Sequence, residues 1–369
     1  MKIKNTHVVI ANCVYNVQMK RKNSFDFIRL FAAGLVVFSH SFAMTGRSEP
    51  GLGGNVSFGA TGVWIFFILS GYLIAKSWDQ YPRFNVFFAK RILRIFPGLI
   101  VAVIVTIIVS GLFFTAIPFL QFLVHPGTLA YLNNILLYNP VFTLPGGVFA
   151  TNAYPNAING SLWTLAYEFT MYITVAIIGV SRLYKKISPI GLWATLFVSV
   201  LIMTIVGKQY FALPLFYLDI SQMLIFALLF FSGILMHKEE GRIKLDTRLG
   251  FVSLAAFFIL SYLLPTMLPL IAAIFLAYAL FALGKSSLMS WVGKYGDFSY
   301  GIYIYSFPVQ QAIAAITHTQ SAYKMFALSM TISLILAALS WHLIESRALK
   351  LKAKINEKKY PILQADDAW

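Results

Sequence analysis

Two residues in the stretch FDFIRLFAAGLVVFSHSF, residues 25–42, carry chemistry that their neighbours lack: Arg29 and His40. They are 11 residues apart. On an α-helix that is about 16 Å of rise and about three full turns, so both side chains share one face. The stretch reads as a membrane helix with a cation at one rim and an imidazole past its middle. A lone rim arginine ordinarily snorkels to the headgroups. An ionisable residue at depth is expensive and marks a functional site by default. Asp26, three residues before Arg29, lies on the same face and can pair with it.

A second group lies in FFAKRILRIFPGLI. Arg91 and Arg94 are spaced i, i+3, with Lys90 beside them. Three cations on one short helix face make an anion site. Each taken singly also serves as an ordinary topology charge. Arg29 stands at the same membrane level, so a phosphate-rich ligand arriving from the cytoplasm would meet all of them.

The third signal is NGSLWTLAYEFTMY. Glu168 comes seven residues after Ser161, roughly 10 Å below the outer surface if a helix starts there. His40 is expected at a comparable depth, where a buried carboxylate can fix an imidazole tautomer and stabilise its cation. Trp163 and Tyr167 flank Glu168. The bland alternative is a buried glutamate bonded to a neighbouring helix. Near the other terminus are GDFSYGIYIYSFPVQQ and WHLIESRALK. Glu345 is expected level with the arginines, ordering them by pairing. Pro308 should kink its helix and free carbonyls that something must re-satisfy. Tyr300, Tyr303 and Tyr305 serve packing as readily as a site. His342 reads as structural, and His125 and His318 as surface residues.

The elements that position these groups follow from composition. The chain has 369 residues, of which 59% are hydrophobic, 16% aromatic and only 11% charged. A soluble domain carries about 25% charged residues. Apolar runs long enough to cross a hydrocarbon core recur along the chain. They are continuous rather than alternating, which excludes a β-barrel. The expectation is an all-α, polytopic integral membrane protein of about ten transmembrane helices. Its spans are placed near 27–45, 58–76, 96–117, 161–181, 189–207, 220–236, 249–264, 267–284, 299–317 and 323–345. They form a membrane domain at 27–346 between an N-terminal tail at 1–26 and a basic, amphipathic tail at 347–369.

The net charge of +16 would suggest nucleic acid in a soluble protein. Here its distribution points to topology instead. With the N-terminus inside and Arg29 set apart, the inside segments hold 25 Lys and Arg, including Lys20, Arg21, Lys22, Arg182, Lys185 and Lys186. The outside segments hold three, Arg47, Lys208 and Lys324. This asymmetry puts both termini in the cytoplasm and leaves no nucleic-acid role. The long outside loop, about residues 118–160, has no Lys or Arg and is rich in Asn, Pro, Gly and aromatics. Such side chains suit neutral sugars, and equally an interfacial anchor. The single cysteine, Cys13, excludes an internal disulfide and a thiolate metal cluster. Residues 1–18 contain no signal-peptide pattern, and Met19 opens an ordinary-looking start.

At these residues the chain resembles the membrane acyltransferases of family three, which include O-antigen and peptidoglycan O-acetyltransferases. Arg29 followed by His40, Phe67–Ile–Leu–Ser70–Gly71, Arg91–Ile–Leu–Arg94 before Pro97, Ser161–Leu–Trp163 through Glu168, Ser299–Tyr300 and Tyr303 through Pro308, and the closing Glu345 match that family's motifs in order. The likeness covers about residues 25–347. It differs in two respects: Ser306 stands where many members have histidine, and the esterase-like domain that many members carry after the membrane part is not expected. The resemblance implies an acetyl-CoA donor, a carbohydrate acceptor such as O-antigen, no metal, and a bacterial cytoplasmic (inner) membrane location. It implies that Arg29, Arg91 and Arg94 hold the CoA phosphates, and that His40 serves as general base or acyl carrier. Glu168 would then orient His40, with Asp26, Trp163, Tyr300, Ser306 and Glu345 in support. The ordinary histidine pKa, about 6.5, suits base work near neutral pH.

A proton-coupled transporter of a small acid or lipid-linked sugar is the alternative from the residues alone. The absence of a repeat of two similar halves speaks against it. A third reading, the unrelated histidine-containing membrane-bound O-acyltransferases, fits the Arg29–His40 opening less well.

Overall fold

In the computed structural model, residues 23–52, 56–181, 188–215 and 217–357 are described. Cys13, Met19, the cations at 20–22, Arg182, Lys185, Lys186 and the last twelve residues lie outside them. Ten main helices are found among the described residues: α1 (Phe25–Ala43), α2 (Phe58–Gln80), α3 (Phe84–Phe113), α4 (Trp163–Val180), α5 (Pro189–Val206), α6 (Ile220–Lys238), α7 (Thr247–Leu263), α8 (Pro265–Gly284), α9 (Ser299–Thr317) and α10 (Ala322–Ser340). The last continues through a π-turn at Trp341–Glu345 into a helical segment, Ser346–Glu357. A two-residue antiparallel ladder before α6, Pro214–Leu215 with Leu218–Asp219, is the only β-ladder among the described residues. The chain is an all-α multi-pass membrane protein. Eight of the helices are long and apolar enough to span a bilayer by length and composition. α7 is shorter, at 17 residues, and α9 carries serine, tyrosine and glutamine through its middle.

Small residues set how closely the helices approach. A Cβ on Gly62 of α2 would lie 2.5 Å from the carbonyl oxygen of Ala32 on α1. One on Gly71 would lie 1.8 Å from the carbonyl of Phe230 on α6, and one on Gly233 would lie 1.9 Å from the carbonyl of Ile68. α2 and α6 therefore pack backbone to backbone, as helices in lipid do where dispersion replaces the hydrophobic drive. Phe67 stacks on Phe226 at 4.2 Å, and Asp79 meets Lys238, so the two helices run parallel. Gly71→Ala is expected to cost roughly 2 kcal/mol or more, because the obstacle is main chain and cannot swing away. A lowered melting temperature of the variant in nanodiscs would show it.

α3 starts twelve residues earlier than the expected 96. The turns that carry Lys90, Arg91 and Arg94 are helical, with the Lys90 and Arg91 side chains buried. Their charges hide these turns from a hydropathy reading.

Between α3 and α4 the long loop is ordered. Three short helical stretches, Phe119–Val124, Pro126–Tyr131 and Leu132–Leu136, are followed by irregular chain. That chain descends along α9. Asn152 Nδ2 donates to Gln311 Oε1 at 2.7 Å, and Gln311 Nε2 donates to the carbonyls of Tyr154 and Ala157 at 2.7 and 2.6 Å. Further down, Asn159 Nδ2 donates to the carbonyl of Ile304 at 2.9 Å, and the Tyr303 hydroxyl donates to that of Ser161 at 2.7 Å. From Gln311 to Tyr303 is eight residues of helix, roughly 12 Å. α4 thus begins well inside the bundle. Irregular backbone is tolerated at that depth because α9 covers its polar groups.

Candidate functional site

The Ile304 carbonyl has a specific reason to be free. It would accept from residue 308 in a regular helix, and residue 308 is proline, which has no N–H. Asn159 supplies the missing donor. The kink residue expected from the sequence and the tip of the loop are one device, and it brings the loop tip, through Phe307, close to His40. Gly160 is so close to Phe307 that a Cβ there would lie 2.7 Å from the ring. The same Phe307 ring lies 5.2 Å from the His40 ring, edge to face. Tyr154, exposed on the loop, meets Phe307 at 5.9 Å. An aromatic row therefore leads from the loop surface to the imidazole.

His40 Nδ1 is buried without a hydrogen-bond partner, leaving Nε2 as the nitrogen a substrate can reach. Two other buried polar atoms on α9, Ser306 Oγ and Gln310 Oε1, are also unpartnered, and so is Ser161 Oγ on the loop tip. Gln310 Nε2 donates to the Val37 carbonyl at 2.8 Å and to Ser41 Oγ at 2.9 Å, tying α9 to α1 beside the imidazole. Glu49, just after α1, accepts from Ser39 Oγ at 2.6 Å and lies within electrostatic reach of His40. Sequence reasoning missed it, because its only signal is a carboxylate nine residues beyond the histidine.

Glu168 is not beside His40. Its Oε1 accepts from Ser70 Oγ at 2.7 Å and from the Tyr172 hydroxyl. α2 runs antiparallel to α1, with Gly59 against Ser39 and Tyr72 against Phe25. Gly59 and Ser70 are separated by 11 residues of α2, roughly 16 Å, so Glu168 belongs at the Arg29 end. The expectation failed because it counted depth from the membrane surface at Ser161, whereas α4 starts deep. Trp163 packs on Tyr167 at 5.5 Å and on Phe226 at 5.8 Å, anchoring that start.

At the Arg29 end the three expected arginines do converge. The carboxylate that holds two of them, Arg29 and Arg94, is Asp297, which the sequence reading quoted but did not single out. Its Oδ2 accepts from Arg29 Nη1 at 2.8 Å and from Arg94 Nη2 at 2.5 Å. Its Oδ1 accepts from Ser299 N and Oγ. Burial alone would push the Asp297 carboxyl up; the Arg94 and Arg29 guanidiniums outweigh that and hold it well below the usual carboxylate range. Asp26, the expected partner of Arg29, is buried against Gly293. Glu345 is where the sequence placed it. Its Oε2 is 3.6 Å from Arg94 Nη1, and its Oε1 accepts from Ser340 Oγ across the π-turn at 2.9 Å. Such turns recur at functional sites. Tyr300 donates to the Ile95 carbonyl at 2.7 Å and lies under Arg94, 5.5 Å from ring centre to guanidinium.

The molecule thus has two polar centres, a guanidinium cluster and an imidazole under the loop, joined by α1. Among the described residues no group of three or more His, Cys, Asp or Glu is placed to hold a metal ion.

The chain is 32% identical over 341 residues to a protein named O-acetyl transferase from Shigella phage Sf6, covering 90% of this chain and 97% of that one. It is 29% identical to nodulation protein 10 of Rhizobium leguminosarum bv. viciae, covering 92% of this chain and 97% of that protein. No solved structure matches at a significant level. Family three of the acyltransferases, described as an acyltransferase domain, matches residues 22–343, and the chain belongs to that family of acyl-transferring enzymes.

Proposed function

We propose that the protein moves an acetyl group from cytoplasmic acyl-CoA to a hydroxyl of a cell-surface or lipid-linked carbohydrate such as O-antigen, at the bacterial inner membrane. One observation carries this reading: α1 bears the guanidinium cluster at one end and His40 at the other, about 16 Å apart by helical rise. A donor with anionic phosphates, a long flexible arm and a terminal thioester matches that separation. The name of the phage relative supports acetyl as the group and oxygen as its destination. The excess of Lys and Arg on the Arg29 side supports the cytoplasm as the donor side.

In this reading the cluster of Arg29, Arg91 and Arg94 is the site at which the donor phosphates bind, held there by charge-assisted bonds. The arm follows α1, and the acceptor comes in along Tyr154 and Phe307. His40 Nε2 takes the acceptor hydroxyl proton as its oxygen attacks the thioester carbonyl carbon. The carbon–sulfur bond breaks, and the CoA thiolate leaves with the proton from the imidazolium. Glu168, beside Ser70 and Tyr172, sets the charge of the donor pocket near Arg91. Ser306 on α9 and Trp163 on α4 serve in support.

The test is sidedness. In oriented vesicles carrying the acceptor glycan, labelled acetyl-CoA supplied on the Arg29 face should label glycan on the loop face. Equal labelling when acetyl-CoA is supplied only on the loop face would contradict the reading.

A further inference from the structure

The three arginines of the cluster are not equivalent. Arg29 and Arg94 share Asp297 Oδ2, and Arg94 also faces Glu345. Their charge is spent within the protein, across α1, α3, α10 and the start of α9. Arg91 is the most enclosed of the three, with 8% of its surface exposed against 15% and 20% for the Arg29 and Arg94 side chains. Yet it makes no ion pair among the described residues. Its one hydrogen bond, Nη2 to Ser77 Oγ, is long at 3.5 Å. Its Nε is buried and unpartnered. Its guanidinium lies 5.9 Å from the ring centres of both Phe87 and Tyr172. Glu168 is within electrostatic reach of it, but beyond ion-pair distance and already bonded to Ser70 and Tyr172.

A guanidinium enclosed without a counter-ion is costly, and removing it should relieve the fold rather than harm it. Removing either partner of a buried pair has the opposite effect. Resting on the acyl-CoA reading above, we infer that Asp297 is the positioning residue of the cluster, locking Arg29 and Arg94 as a frame and leaving Arg91 as the guanidinium whose charge a donor phosphate neutralises. The planar fork of Arg91 suits a phosphate better than a lysine would. Stability is given up at Arg91 in the ligand-free protein and recovered when the donor binds, as active sites commonly arrange.

The full chain in nanodiscs tests this by melting temperature and by acetyl-CoA titration. Arg91→Gln should melt at or a few degrees above wild type while its acetyl-CoA affinity falls tenfold or more. Arg94→Gln should melt clearly lower. Asp297→Asn should raise the acetyl-CoA KM about tenfold in the folded fraction, since a loss of folded protein alone lowers kcat and leaves KM unchanged. If Asp297→Asn cannot be purified, Asp297→Glu gives the same KM readout through its displaced carboxylate. An Arg91→Gln variant that melts as low as Arg94→Gln, or that binds acetyl-CoA as wild type does, overturns the division of roles. An unchanged KM at position 297 overturns the positioning role. Wild-type protein that binds no acetyl-CoA overturns the donor reading itself, and this inference with it.

Discussion

His40→Ala is expected to lower acyl transfer by about 10²- to 10⁴-fold, the range typical of a lost general base, while acetyl-CoA still binds. The separation of effects follows from geometry. The phosphates of the donor are assigned to the cluster at the far end of α1, whereas the His40 ring packs on Phe307. Truncation removes one edge of that pair and a half-buried ring, so the bundle should still insert and fold. An acyl-histidine mechanism would give a loss at the upper end of the range or beyond. Measured kcat and donor KM decide: a large fall in kcat with little change in KM is the expected pattern, and wild-type turnover would remove His40 from the chemistry.

The second large effect is on the fold. Asp297→Ala is expected to cost roughly 3–5 kcal/mol, the usual consequence of stripping a buried charge pair of one partner. It would leave Arg29 and Arg94 facing each other without the oxygen they share. Because folding depresses the Asp297 carboxyl, its contribution is fully present above the unfolded carboxylate value, about 3.9, and fades as pH falls below it. Wild type should therefore lose melting temperature on acidification below about pH 4 more steeply than Asp297→Ala does. Parallel pH profiles of the two proteins would remove Asp297 from the acid sensitivity.

The helices and their order were legible in the sequence, because hydropathy and the 3.6-residue period determine them locally, and Arg29, Arg91, Arg94 and Glu345 could be set at one membrane level because helical rise fixes depth within each span. The all-α membrane class followed from the same signals, as did the requirement that something satisfy the carbonyl freed by Pro308. Three features were not legible. Asp297 pairs with residues more than two hundred positions away, and no local pattern announces such a partner. Glu168 was misplaced because the depth of a helix start depends on how far the preceding loop descends. That descent is set by Asn152, Gln311, Asn159 and Tyr303 acting across the chain. The amides expected to face a sugar are partly used in this way, since Asn134, Asn152 and Asn159 bond the protein's own groups. Tyr154 remains exposed beside Phe307, where the proposed acceptor would meet it.

The central claim is that one ligand bridges the two centres of α1, and a structure of the protein with a non-transferable acetyl-CoA analogue tests it most directly. Phosphate density on Arg91 within the Asp297 frame, with the thioester carbon in reach of His40 Nε2, is the expected result. An analogue bound with its phosphates on the loop side, or held wholly at the arginine end with its thioester far from His40, would contradict it.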